Sequence, residues 1–133
     1  MKKAIISFLA LCMCFSLCFP ALASAPSRSP MWLNISSLNV GLGFTGTDGD
    51  ASGSATGKSG TTSITGTLTV YKQSGSNWVY VDSVSGSTTT RRLNLYLNFD
   101  GETGEYYKAV FEAVVTRNGI DEPDSITKYQ TCT

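Results

Sequence analysis

Residues 105–116 read EYYKAVFEAVVT, and two local structures are compatible with them. Wound as a helix, the segment gathers Tyr107, Val110, Phe111, Val114 and Val115 on one side, and Asn118-Gly119 would cap its C-terminus. Extended as a strand, it puts Tyr107, Ala109, Phe111, Ala113 and Val115 on one face. Periodicity does not separate the two. Composition does, because Tyr, Val, Phe and Thr dominate the window and suit a pleated, half-buried surface. A strand here also completes a set of seven, enough for two sheets, whereas a lone helix would leave an edge uncovered. The sequence therefore predicts a strand.

The rest of the chain has the same two-residue period. Leu93, Leu95, Leu97 and Phe99 alternate most cleanly, with Arg92, Asn94, Tyr96 and Asn98 turned to water. Ile64, Leu68 and Val70 face inward on another strand, with Thr65, Thr67, Thr69 and Tyr71 outward. Upstream, Leu33 and Ile35 share one phase, and Leu38, Val40, Leu42 and Phe44 share the other. The slip at Ser36-Ser37 predicts a bulge or a switch between sheets. Ala51, Gly53, Ala55 and Gly57 suggest a strand with a very small inner face. Residues 73–77 read as a hairpin loop leading into a strand over 78–84, and 126–130 as a last short strand. No proline interrupts the chain between Pro30 and Pro123. The expected fold is all-β: a small antiparallel two-sheet sandwich of about seven strands, immunoglobulin- or fibronectin-like. Gly104-Glu105-Tyr106-Tyr107 resembles the tyrosine-bearing opening of the sixth strand in those domains.

Lys2 and Lys3, the apolar run from Ala4 to Phe19, and the small residues after Pro20 form the pattern of a secretory signal peptide. The run is short for a membrane span of about 20 residues. Cleavage is expected after Ala23, since a cut after Ala25 would leave Pro26 first. The expected organisation is a leader over 1–23, a linker over 24–30 and a domain over 31–131, in a secreted protein. Removing 23 residues leaves 110, with eight basic and ten acidic side chains and a net charge of −2. That balance offers no footprint for nucleic acid, and no second run is long enough for a membrane. Cys12, Cys14 and Cys18 leave with the leader; Cys12 and Cys18 follow leucines, which does not fit a lipidation signal. Cys132 alone remains, as a free thiol or as the bridge of a disulfide-linked dimer.

Three stretches imitate binding motifs. In DGDASGSATGKSG (48–60), Asp48, Asp50, Ser52 and Gly53 match the start of a calcium loop, but Ser59 falls where a bidentate carboxylate is needed. Weak calcium binding at Asp48 and Asp50 stays open. Gly57-Lys58-Ser59 lacks the upstream glycine of a phosphate loop, because position 52 is serine. Gly41-Leu42-Gly43-Phe44-Thr45-Gly46 has the spacing of a dinucleotide fingerprint, but no helix follows it; glycines there would thin one face for a facing sheet or a bend. The chain contains no histidine, which removes Ser–His and Cys–His pairs and the usual zinc sites. The carboxylates fall mostly in expected turns. No catalytic residue, cofactor or metal is expected, and the protein is expected not to be an enzyme.

Aromatic residues are the remaining functional signal. Trp32, Tyr71, Trp78, Tyr80, Tyr96, Tyr106 and Tyr129 are many for one small domain. Tyr71, Trp78 and Tyr96 are the candidate ligand-binding residues, since planar side chains on a sandwich face can stack on sugar rings. The expected function is an extracellular binding or adhesion-type module acting by surface contact on a protein or polysaccharide partner. The alternative is a carbohydrate-binding module using exposed aromatics. TTSITGTLTVYKQSGSNWVYVDSVSGS (62–88) and GEYYKAVFEAVVTRNG (104–119) resemble a group of short exported proteins of Gram-positive, clostridial-type bacteria. That group shares a signal peptide, a K-x-S-G-x-x-W hairpin and a late Tyr-rich strand ending at Asn-Gly. The resemblance spans about residues 34–130. It implies export and an all-β fold, and brings no catalytic or ligand residues with it.

Overall fold

The segment that decides the fold is extended. In the computed structural model, which describes residues 31–133, Tyr106–Arg117 forms the sixth of seven strands. The leader and linker expected over 1–30 lie outside the described residues. The strands are β1 (Ile35–Thr45), β2 (Asp48–Gly57), β3 (Thr61–Ser74), β4 (Asn77–Thr88), β5 (Arg92–Asp100), β6 (Tyr106–Arg117) and β7 (Ile120–Thr131). Asn118-Gly119 caps no helix. Both residues take positive φ, 55° and 74°, and form the two-residue turn that joins β6 to β7.

The strands make two antiparallel sheets, ordered β1-β2-β5 and β4-β3-β6-β7. They pack face to face. Tyr107, Ala109, Phe111, Ala113 and Val115 of β6 meet Leu93, Leu95 and Phe99 of β5 and Leu38 and Leu42 of β1 in one core. The inner face of β2 is made only of Gly49, Ala51, Gly53, Ala55 and Gly57, all buried. Its smallness makes room for large neighbours. A Cβ on Gly53 would collide with the Phe111 ring from the opposite sheet, and one on Gly49 would come within 2.5 Å of Phe99. The glycines of the 41–46 stretch do something different from what the sequence suggests. Gly41 and Gly43 oppose Ser52 and Asp50, so they thin the outer face and not the core.

Several strand limits differ from expectation. The slip at Ser36-Ser37 is a register shift in the β1–β2 ladder, as expected, but Leu33 is 72% exposed and takes no part in it. The hairpin after β3 is a two-residue turn, Gly75-Ser76, with Gly75 at φ 62°. The longer loop expected there is taken up by paired strand. β7 begins at Ile120, six residues before the expected start, because Pro123 is tolerated on an edge strand that need not donate every N–H.

At one end of the core, Phe44, Phe99 and Tyr107 pack ring against ring with centroids 5.2–5.7 Å apart. The Tyr107 hydroxyl accepts the backbone N–H of Glu102 at 2.9 Å, which ties the β5–β6 corner to the start of β6. Burial pushes that hydroxyl above its usual pKa. Cys132 closes the same end. It is fully buried, its thiol lies 3.4 Å from the Gly46 carbonyl, and its backbone bonds to Gly104 and Glu105. The domain therefore reaches past residue 131. A bridge from Cys132 to a second chain requires these last residues to leave the core.

Candidate binding face

The outer face of β4-β3-β6-β7 gathers aromatic side chains from every strand of that sheet. Tyr80, Tyr71, Lys108 and Tyr129 stand directly opposite one another across β4, β3, β6 and β7. Trp78 and Tyr106 lie beyond them, toward the Gly75-Ser76 turn. A bulge makes the row possible. The β3–β4 register shifts between Val70 and Tyr71, so β4 carries one extra residue, Val81. Val81 packs against the core, and Tyr80 and Trp78 turn outward beside Tyr71. Without that extra residue the alternation of β4 would be inverted here.

The rings touch. Trp78 lies 6.0 Å from Tyr106 and 5.9 Å from Tyr129, tilted by 43° and 51°. Tyr106 and Tyr129 stack at 5.8 Å with 15° between their planes. Tyr71 meets Tyr80 edge-on at 6.5 Å. The ammonium of Lys108 sits 4.5 Å from the Trp78 centroid and 5.1 Å from that of Tyr71. Such cation–π contacts contribute about 0.5–1 kcal/mol at exposed sites. They also place Lys108 over two of the three aromatic residues that the sequence singles out. Tyr71 and Trp78 are half-buried, while Tyr80, Tyr129 and Tyr106 are 58%, 49% and 37% exposed. The contact area of the face therefore belongs largely to three tyrosines that are not among the sequence candidates.

Tyr96 is 73% exposed but stands on β5, on the outer face of the other sheet. It borders a shallow hollow with Asn39, Ser52, Ser54, Arg92 and Asn94. The structure brings Tyr71 and Trp78 together and leaves Tyr96 on the opposite side of the sandwich. Next to the aromatic rows, the four-stranded sheet forms an open trough of about 600 Å³. Gly66, Gly86 and Ala113 make its floor, and Thr65, Thr67, Ser85, Glu112 and Pro123 border it.

The carboxylates have other settings. Asp48 and Asp50 lie on β2 as regular strand residues, Asp48 opposite Asp100, and a strand cannot curl around an ion as a calcium loop does. No group of three metal-ligating side chains gathers among the described residues. Glu122 and Asp124 anchor the segment before β1. Glu122 accepts the N–H groups of Leu33, Asn34 and Ile35, each at 2.7 Å, and Asp124 accepts the Trp32 indole N–H. Burial pushes the Glu122 carboxyl up, but the three donors, with the charge of Lys58, outweigh it and hold the group below its ordinary value. The buried amide of Asn34 completes the anchor, donating to the carbonyls of Val115 and Ile120.

Comparison with models of known protein families finds no match to this chain. A search of curated protein sequences likewise finds no similar protein.

Proposed function

We propose that this protein is an extracellular binding module that acts by surface contact through the outer face of β4-β3-β6-β7. One observation carries the reading: an unbroken patch of five aromatic side chains around one lysine, assembled in register from all four strands. Exposed tyrosines seldom cluster this way without a partner, since contiguous apolar patches on a soluble domain mark contact sites. Tyr and Trp also supply wide contact area at low conformational cost. The leader pattern at residues 1–23 supports export. An immunoglobulin- or fibronectin-like scaffold is supported by the corner hydrogen bond from Glu102 to Tyr107. It is supported too by the strand order, in which β4 joins the sheet of β3, β6 and β7.

A carbohydrate partner is favoured over a protein by the hydroxyl-rich trough beside the rings, bordered by Thr65 and by the Thr67 and Ser85 hydroxyls, which bond each other at 2.9 Å and keep acceptor capacity for a ligand. The reading is tested by retention on insoluble bacterial cell walls and plant polysaccharide. The double variant Tyr80→Ser/Tyr129→Ser is expected to lose most of its retention, and Tyr96→Ser to keep it. Equal retention of all three proteins would remove this face as the contact surface.

A further inference from the structure

We propose that the ligand of this face is an acidic saccharide, a carboxylate-bearing sugar of a single soluble chain, read by stacking on tyrosine and by ion pairing with Lys108. The inference rests on the reading of this face as the contact surface and adds the chemistry of what it holds.

Lys108 is the starting point. Its ammonium is fixed at the centre of the patch between Trp78 and Tyr71. Among the described residues it makes no hydrogen bond or ion pair with a protein acceptor; the salt bridge found there joins Lys72 to Glu102. On the same face of β6 the next acidic residue is Glu112, four positions along, roughly 13 Å away at the rise of a strand. The aromatic rows thus hold one positive charge that no protein acceptor among the described residues pairs. An anion placed there gains charge-assisted hydrogen bonds that a neutral ligand does not.

The rings restrict the carrier of that anion. Trp78 is tilted by 43° and 51° against the nearly parallel Tyr106 and Tyr129. Rings set at such angles make a notch and not a plane, which suits one chain in solution and not the flat face of a crystalline polymer. The row from Tyr80 to Tyr129 crosses three strand spacings, roughly 14 Å. A short run of sugar rings can lie across the strands there, on Tyr80 and Tyr129, with Lys108 between them. Glu112 in the trough disfavours an acidic chain running the other way, along the strands. A nucleic acid also presents flat rings and negative charge, but it needs a basic track along its phosphates, and this face offers a single lysine.

The test is affinity electrophoresis of residues 24–133, which contain every core residue among the described residues, through gels holding a defined polymer. The polymers are polygalacturonate, its fully methyl-esterified form, a neutral soluble β-glucan and oligo-dT. The inference expects retardation by polygalacturonate and little by its ester, which has the same rings without the charge. Lys108→Met is expected to weaken polygalacturonate binding by about tenfold or more, and Lys108→Arg to restore most of it. Tyr80→Ser is expected to weaken it at a small cost in stability, since the side chain is 58% exposed and loses only its contacts with Tyr71 and Ser83. Equal retardation by acid and ester, with Lys108→Met unaffected, would overturn the acidic ligand and leave the contact surface standing. Retardation by oligo-dT alone, or by no polymer, would also overturn it, and cell-wall retention then decides separately whether the contact surface survives.

Discussion

Glu122 shows how one side chain can fasten a segment. Its carboxylate takes the backbone N–H groups of three successive residues, and two of those residues, Asn34 and Ile35, are buried. Replacing it by alanine leaves these donors without an acceptor, a loss of about 1–3 kcal/mol. Its pKa in the fold is lowered from 4.5. The stabilisation is therefore complete above that ordinary value and is lost as pH falls through the depressed one. Urea unfolding of wild type and Glu122→Ala should differ most near neutral pH and draw together in acid. A constant difference across that range would show that the carboxylate charge is not what holds the segment. Nothing in the sequence marks Glu122 for this role. In the string Asp121-Glu122-Pro123-Asp124 it reads as a turn residue, and its partners lie nearly ninety positions upstream.

At the scale of the element, the two strands that look weakest in sequence are essential to the packing. β2 presents only glycine and alanine to the core, which allows Phe111 to cross from the other sheet and rest against Gly53. Gly53→Ala should cost about 1–3 kcal/mol by overpacking. Ser54→Ala, on the outer face of the same strand, should stay within about 0.5 kcal/mol. Chemical denaturation of both variants checks this, and equal midpoints would mean that the Phe111 ring has room to move. β7 looks weak for another reason. Pro123 and the inward charges Glu122 and Asp124 make it a poor partner for further strands, which protects an exposed sheet edge. The alternation of β5 is legible because it has one buried face and one wet face, whereas β6 carries Val110 and Val114 half-buried on its outer side, so its period also fits a helix and composition has to decide. The start of β7 is not, since its residues serve an edge and an anchor instead of a core.

In the described domain, β1 lies beside β7 and β4 beside β5, so the edges of the two sheets approach each other on both sides without pairing. Its two outer faces differ. The three-stranded face is small and polar apart from Tyr96, and the four-stranded face carries the aromatic rows and the trough. The fold class follows from the two-residue period and the turn glycines, which act over short distances in the chain. The aromatic face does not, because it depends on register between strands far apart in sequence and on a bulge that turns Tyr80 and Trp78 outward. Tyr71 was visible as an outward aromatic and Trp78 as a candidate of unassigned face, but their neighbours in space, Tyr106, Lys108 and Tyr129, were not. The most direct test of that face is an amide chemical-shift map of the ¹⁵N-labelled domain titrated with oligogalacturonate. The predicted result is a set of shifts confined to residues around Tyr71, Trp78, Tyr80, Lys108 and Tyr129, with Tyr96 and its strand unmoved. Shifts centred on Tyr96 would contradict it, while none at saturating ligand would contradict the acidic ligand.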